Sequence, residues 1–178
     1  MQAANVIYLS SYELIMSFIF MMVTIVLATK FMNKFVLSSP VETFIKRRHK
    51  SGCLMSATLI FSVIYLVQGS IEQSTLALQS LVLSHNGFTT KIIAIALAYF
   101  TVFYLITFIA SVLIIFVVSL IYRKIMSEVD FDDEIEQHDN FGLSLFLSFI
   151  LINVVIFMDK PLSHFLGSLV FHDYLGKL

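Results

Sequence analysis

The sequence predicts an all-α polytopic membrane protein with four transmembrane helices, a candidate pair of parallel helical-hairpin repeats in a single domain over residues 1–178. Three observations predict it. The chain contains four long uncharged stretches. The segments between them alternate strongly in Lys and Arg. Residues are 58% hydrophobic and only 13% charged, well below the roughly 25% charged fraction of a soluble domain.

The first span, about residues 8–30, lies in the uncharged run between Glu13 and Lys30, extended backwards because Met1 to Tyr12 carry no charge. The second, about 52–71, lies between Lys50 and Glu72. The third, about 92–122, lies between Lys91 and Arg123, and the fourth, about 140–158, between Asp139 and Asp159. A helix rising about 1.5 Å per residue needs roughly 20 residues to cross about 30 Å of hydrocarbon. The second run matches that length, and the third exceeds it, so that helix must tilt or project. Unalternating Leu, Ile, Phe and Val runs suit helices, whose backbone bonds are satisfied within the segment, rather than barrel strands. The N-terminus has no Lys or Arg before its apolar run and no cleavage signal after it, so the first helix reads as retained.

Basic residues set the orientation. Lys30, Lys34, Lys46, Arg47, Arg48 and Lys50 lie between spans one and two, and Arg123 and Lys124 follow span three. The opposite side has only Lys91, Lys160 and Lys177. The turns at about 31–51 and 123–139 should therefore be cytoplasmic, and both termini periplasmic if the host is bacterial. A single Cys53 permits no internal disulfide and reads as a packing residue.

Ser39-Pro40-Val41-Glu42 carries a capping Ser, a Pro at the first helical position and a Glu able to reach back to the cap. The expected helix runs from there through the basic turn into span two. Asp130 with Asp133 starts a similar helix running into span four. An ungapped shift of 90 residues superposes Lys34 on Lys124, Ile45 on Ile135, Gly52 on Gly142 and Ile60 on Ile150. That pattern is expected of a parallel repeat.

The two turns then carry opposite charge: Lys46, Arg47, Arg48 and Lys50 in one, and Glu128, Asp130, Asp132, Asp133, Glu134 and Glu136 in the other. Either the basic turn neutralises the acidic one, or the turns dock a partner or a neighbouring subunit. A calcium loop starting at Asp130 would need Gly at its sixth position and Glu at its twelfth, where Ile135 and Phe141 stand. Within the spans the polar groups are few, chiefly Gln68 and Asn153, the latter expected to bond between helices. No paired intramembrane Asp and no Ser with a membrane His are present, so no catalytic residue is assigned and no enzyme activity, cofactor, metal or nucleic acid is expected. Small-residue pairs Gly52 with Ser56, Ala94 with Ala98 and Ser144 with Ser148 predict close helix approach. The tail at 161–178 is expected to leave the bundle at Pro161 and lie on the outer interface.

Lys34-Phe35, Ser39-Pro40 and Ile45-Lys46, and later Ile135 with Asn140-Phe141-Gly142, are similar to the YjfL-like family of small bacterial inner-membrane proteins. The resemblance covers roughly Lys30 to Leu169. It departs at Lys50-Ser51-Gly52, which replaces an Asn-plus-alanines pattern, and at Asp130, which replaces a Pro. It implies a bacterial inner membrane and four spans, and carries over no site residue. The function expected is that of an oligomeric inner-membrane sensor or anchor in contact with membrane lipids. It would dock a soluble cytoplasmic partner in stress response or antiphage defence, as in a Kiwa-type two-protein system. The alternatives are a small oligomeric ion channel or transporter and an immunity protein to a membrane-active toxin.

Overall fold

The computed structural model describes residues 3–37, 39–84 and 89–175. Four long helices, α1 (Ala3–Phe35), α3 (Lys50–Ser84), α4 (Thr90–Ile125) and α6 (Phe141–Leu175), are joined at one end of the bundle by two six-residue helices, α2 (Val41–Lys46) and α5 (Phe131–Glu136). That end is the turn end; the other is the far end. All four long helices are long and apolar enough to cross a membrane, and no strand occurs among the described residues.

The order long helix, short helix, long helix therefore occurs twice. Val41–Lys46 maps onto Phe131–Glu136, and the end of α1 at Phe35 onto the end of α4 at Ile125, under the same 90-residue offset that relates Thr58 to Ser148. Those two residues meet in the bundle: Thr58 Oγ1 donates to Ser148 Oγ at 2.9 Å. Positions 90 apart are therefore in direct contact at the α3–α6 interface.

Packing differs between the halves. Helix α3 is central and packs against α1, α4 and α6, and it buries Leu59, Val63, Leu66, Val67, Ala77 and Leu78 around its circumference. Helix α1 buries only a stripe, Met16, Thr24, Ala28 and Met32, with half-buried Phe20 between them. Every fourth residue on one helix recurs on one face. Helix α4 repeats the device with Ile92, Ala96, Phe100, Tyr104, Thr107, Ser111 and Ile115. Phe20 fills the space between Phe100 and Tyr104, with ring centroids at 4.3 and 4.6 Å, and Thr24 Oγ1 lies 3.1 Å from the Tyr104 hydroxyl. Most other hydroxyls bond to the carbonyl one turn back, as Ser62 does to Thr58 and Ser111 to Thr107, so they add little between helices.

Several expectations are corrected. The chain does not leave the bundle at Pro161: α6 runs through it to Leu175, because Leu162 and Leu166 continue the buried face and pack with Leu66 and Val155, and with Ala77 and Phe103. Neighbouring helices tolerate a Pro whose freed carbonyl lies within a membrane helix. Helix α3 extends beyond the span expected at 52–71, to Ser84, which leaves that expected span inside it. Ala94 and Ala98 lie on an exposed face, and Ala96 is the buried small residue instead. Gly52, Ser56, Ser144 and Ser148 are buried as expected.

Neither turn helix runs on into the next span. Helix α2 stops at Lys46 and Arg48 adopts φ 55°; helix α5 stops at Glu136 and Asp139 adopts φ 49°. A left-handed residue ends each short helix, and wide bonds close both turns, from His49 N to Phe44 O at 2.9 Å and from His138 N to Asp133 O at 3.2 Å.

Candidate docking surface and membrane cleft

The turn end is built by capping groups, of which Glu136 and Asp139 cross between the halves. Asp130 behaves as predicted: its Oδ1 accepts from the amides of Asp132 and Asp133 at 3.1 and 3.3 Å. The expected capping box at Ser39 does not form. Pro40 is the residue before α2 and provides no side-chain cap, so the Val41 amide donates to Asn33 Oδ1 of α1 at 3.0 Å. The carboxylate expected from Glu42 comes from the other half instead. Glu136 accepts from the Ser39 amide at 3.2 Å and from the Ser39 hydroxyl at 2.8 Å.

Asp139 does for α3 what Glu136 does for Ser39. Its Oδ1 accepts from the Ser51 amide at 2.7 Å, satisfying a donor in the first turn of α3, where an anion also meets the positive end of the helix dipole. His49 Nδ1 lies 3.2 Å from both the Gly52 amide and Asp139 Oδ1, so it can accept from the first or donate to the second, one at a time. The Ser51 amide, helped by His49, holds the Asp139 carboxyl below its ordinary range. A lowered carboxyl stabilises the fold fully above the unfolded value of about 3.9 and loses that contribution as pH falls through the folded value. Between about pH 4 and 2, thermal denaturation in detergent should therefore show the wild type losing stability faster than Asp139→Asn, with the two curves parallel near neutrality. Equal acid sensitivity of the two proteins would disprove this linkage.

The acidic turn is thus largely occupied. Asp132 is held bidentately by Arg123 at the end of α4, at 2.6 and 3.0 Å. Glu134 accepts from the Asn140 amide group at 2.8 Å, and Asp133 lies 3.3 Å from His138 Nδ1. Glu128 remains exposed. The basic turn does not neutralise these groups, contrary to one expectation. Lys46, Arg47, Arg48 and Lys50 are exposed, and none forms an ion pair among the described residues. The reason is positional: α5 meets α3 and α6 through its own apolar face, Phe131 and Ile135, which turns its carboxylates toward neutral donors and Arg123. Ile45, matched to Ile135 in sequence, is 62% exposed where Ile135 is 7% exposed. The buried anchor of α2 is Phe44, one position earlier, whose ring lies over Gly52. The basic turn therefore surrounds an exposed aliphatic side chain.

At the other side of the molecule a cleft of about 620 Å³ opens between α1, α3 and α6. Glu13, Gln68, Glu72 and Asp159 line it, with Ser17, Thr24, Tyr65 and Ser163. Of these residues the sequence reading marks Gln68 as an intramembrane polar candidate, and Glu13, Glu72 and Asp159 only as ends of uncharged runs. Asn153, the other intramembrane candidate, is exposed and donates to the Phe149 carbonyl of its own helix at 2.8 Å, so it makes no interhelical bond of the expected kind.

Compared with protein-family models, curated proteins and solved structures, the chain matches none. Its site is described by its own geometry: an occupied acidic turn, a free basic turn, and a polar cleft at the other end. No sequence signal marked Ser39, Ser51 or His49 as bridging residues. The 90-residue offset could have found them, because positions 90 apart meet between α3 and α6 and bring the first turns of both helices together.

Proposed function

We propose that this protein is a non-enzymatic, oligomeric membrane anchor or sensor that holds a soluble cytoplasmic partner against its turn end. One observation carries the reading: Lys46, Arg47, Arg48 and Lys50 stand exposed around exposed Ile45 with no ion pair among the described residues, while most carboxylates of the acidic turn are held within their own half and Glu136 and Asp139 reach across to the other. Cations near helix ends favour the cytoplasmic side, which puts both termini outside, in the periplasm where the membrane is a bacterial inner membrane. The partner surface that fits is acidic with an apolar contact for Ile45. Resemblance to the YjfL-like four-span proteins agrees with this setting, and a stress-response or antiphage-defence pair is the context it suits.

Affinity purification in mild detergent with quantitative mass spectrometry tests the reading. Reversing the four cations to Glu should cut recovery of the partner by about tenfold or more, since rim charges contribute chiefly through complementarity and encounter rate. Asp132→Asn should lower thermal stability and leave recovery nearly unchanged. Undiminished recovery with all four cations reversed would exclude the basic turn as the docking surface. A small transporter is the second reading, favoured by the polar cleft; substrate-specific flux in liposomes would support it.

A further inference from the structure

Asn153 sits on the side of α6 that faces away from the bundle. The face that packs on α3 carries Ser144, Ser148, Leu151 and Val155, all buried, with Ser148 bonded to Thr58, Leu151 against Leu59 and Val63, and Val155 against Leu66. A helix turns about 100° per residue, so Asn153, nine positions beyond Ser144, points the opposite way, and it is exposed. Phe146, Phe149 and Ile156 share that outward face, at 47%, 60% and 53% exposure. The series Phe146, Phe149, Asn153, Ile156 steps by three, four and three residues, the spacing of the seam along which parallel helices pack, with Asn at a single position of it.

An amide on this face poses a problem that a hydroxyl does not. Thr101, exposed on α4, spends its one donor on the Leu97 carbonyl at 2.9 Å. Asn153 spends one N–H in the same way, on the Phe149 carbonyl at 2.8 Å. Its second N–H and its Oδ1 have no partner among the described residues. The residue lies inside Phe141–Leu169, long and apolar enough to cross a membrane, and no charge stands between Asp139 and Asp159. Hydrocarbon offers neither an acceptor nor a donor, so the remaining groups call for a protein partner.

The chemistry of the group selects that partner. A carboxamide is donor and acceptor at once, so it is complementary to a second carboxamide related to it by a twofold axis. Copies of one chain in one membrane share an orientation. Two α6 helices therefore lie parallel, and a twofold along them brings each residue to the level of its counterpart. We infer that α6 pairs with α6 of a second copy of this chain through Phe146, Phe149, Asn153 and Ile156, the two Asn153 carboxamides bonding reciprocally across the axis. One polar residue in an apolar seam fixes its register, because any slip leaves both amides unpaired. The contact opens toward Lys160, where like charges repel. The inference rests on the oligomeric assembly of the reading above and names its surface; it uses no residue of the basic turn.

The test uses the full chain, labelled at its C-terminus and reconstituted in liposomes at low density. Single-molecule photobleaching should show two steps. Asn153→Leu should weaken dimerisation by about tenfold, the scale of amide bonds between membrane helices, and Asn153→Gln, which keeps the carboxamide, should regain most of it. Leu113→Ala, on the outward face of α4, should change nothing. In a Cys53→Ser background, Phe149→Cys should cross-link on oxidation and Leu113→Cys should not, a readout that does not depend on the folding of any Asn153 variant. One-step bleaching at every density would mean that lipid alone covers this face, and overturns the inference. Dimers left at full strength by Asn153→Leu, or cross-linked through Leu113→Cys, overturn it as well. Recovery of a soluble partner through the basic turn is read separately, so failure of the pair and failure of docking are told apart.

Discussion

Gly52→Ala should destabilise the protein by about 1 to 3 kcal/mol, the usual cost of overpacking a filled site, whereas Gly142→Ala, at the equivalent position of the second half, should be neutral or slightly stabilising. A Cβ built on Gly52 would overlap the buried ring of Phe44, with Cε1 at 2.8 Å and two other ring atoms closer still. One built on Gly142 meets only Asn140 Oδ1 at 3.6 Å, an ordinary contact. At Gly142 the gain in helix propensity, about 0.5 to 1 kcal/mol, is unopposed. Phe44 cannot move aside cheaply, because it is the anchor of α2 and its ring also packs against His49 at 5.5 Å between centroids. Thermal unfolding in detergent would measure both variants. A Phe44→Leu background should recover part of the Gly52→Ala loss, and absence of any recovery would mean that the clash is not with this ring.

Truncation within the bundle should separate the central helix from the lipid-facing surfaces. Leu59→Ala and Phe100→Ala remove side chains that are 0% exposed in the cluster where α1, α3 and α4 meet, and each should cost about 2 kcal/mol or more. Phe157→Ala removes a ring that is 76% exposed and should change stability by about 0.5 kcal/mol or less. The physical difference is that lipid tails replace the contacts of an outward-facing ring about as well as other side chains do, while a void between helices has no such replacement. Unfolding in a graded SDS and mild-detergent mixture would rank the three. Equal losses for Phe100 and Phe157 would contradict the arrangement of α4 against α1.

The legible part of this molecule was what hydrocarbon demands of a chain. Uncharged runs announced four long apolar helices, and Asp130 the start of α5, because these features depend on local sequence alone. The order long helix, short helix, long helix occurs twice, yet matched residues do not do matched jobs. Ile45 and Ile135 align, yet Ile135 is buried and Ile45 exposed; Gly52 and Gly142 align, yet only Gly52 lies beneath a ring. Expecting helices to run through both turns failed because propensity cannot register a left-handed Arg48 or Asp139, whose conformation is fixed by how each turn seats on α3 and α6. The break expected at Pro161 failed for the reverse reason: packing of Leu162 and Leu166 outweighed a local helix breaker.

Sequence by itself determined that four apolar helices form, where each begins to be apolar, and that cations gather at one end of them, since each of these follows from the transfer of individual residues between water and lipid. Tertiary structure alone decided which helix is central, which carboxylates are committed to capping, and that α1 stands apart from α6 to leave a cleft. Those outcomes depend on contacts between residues distant in the chain. Two halves with nearly the same pattern of apolar residues can satisfy the same membrane while packing against α3 in different ways.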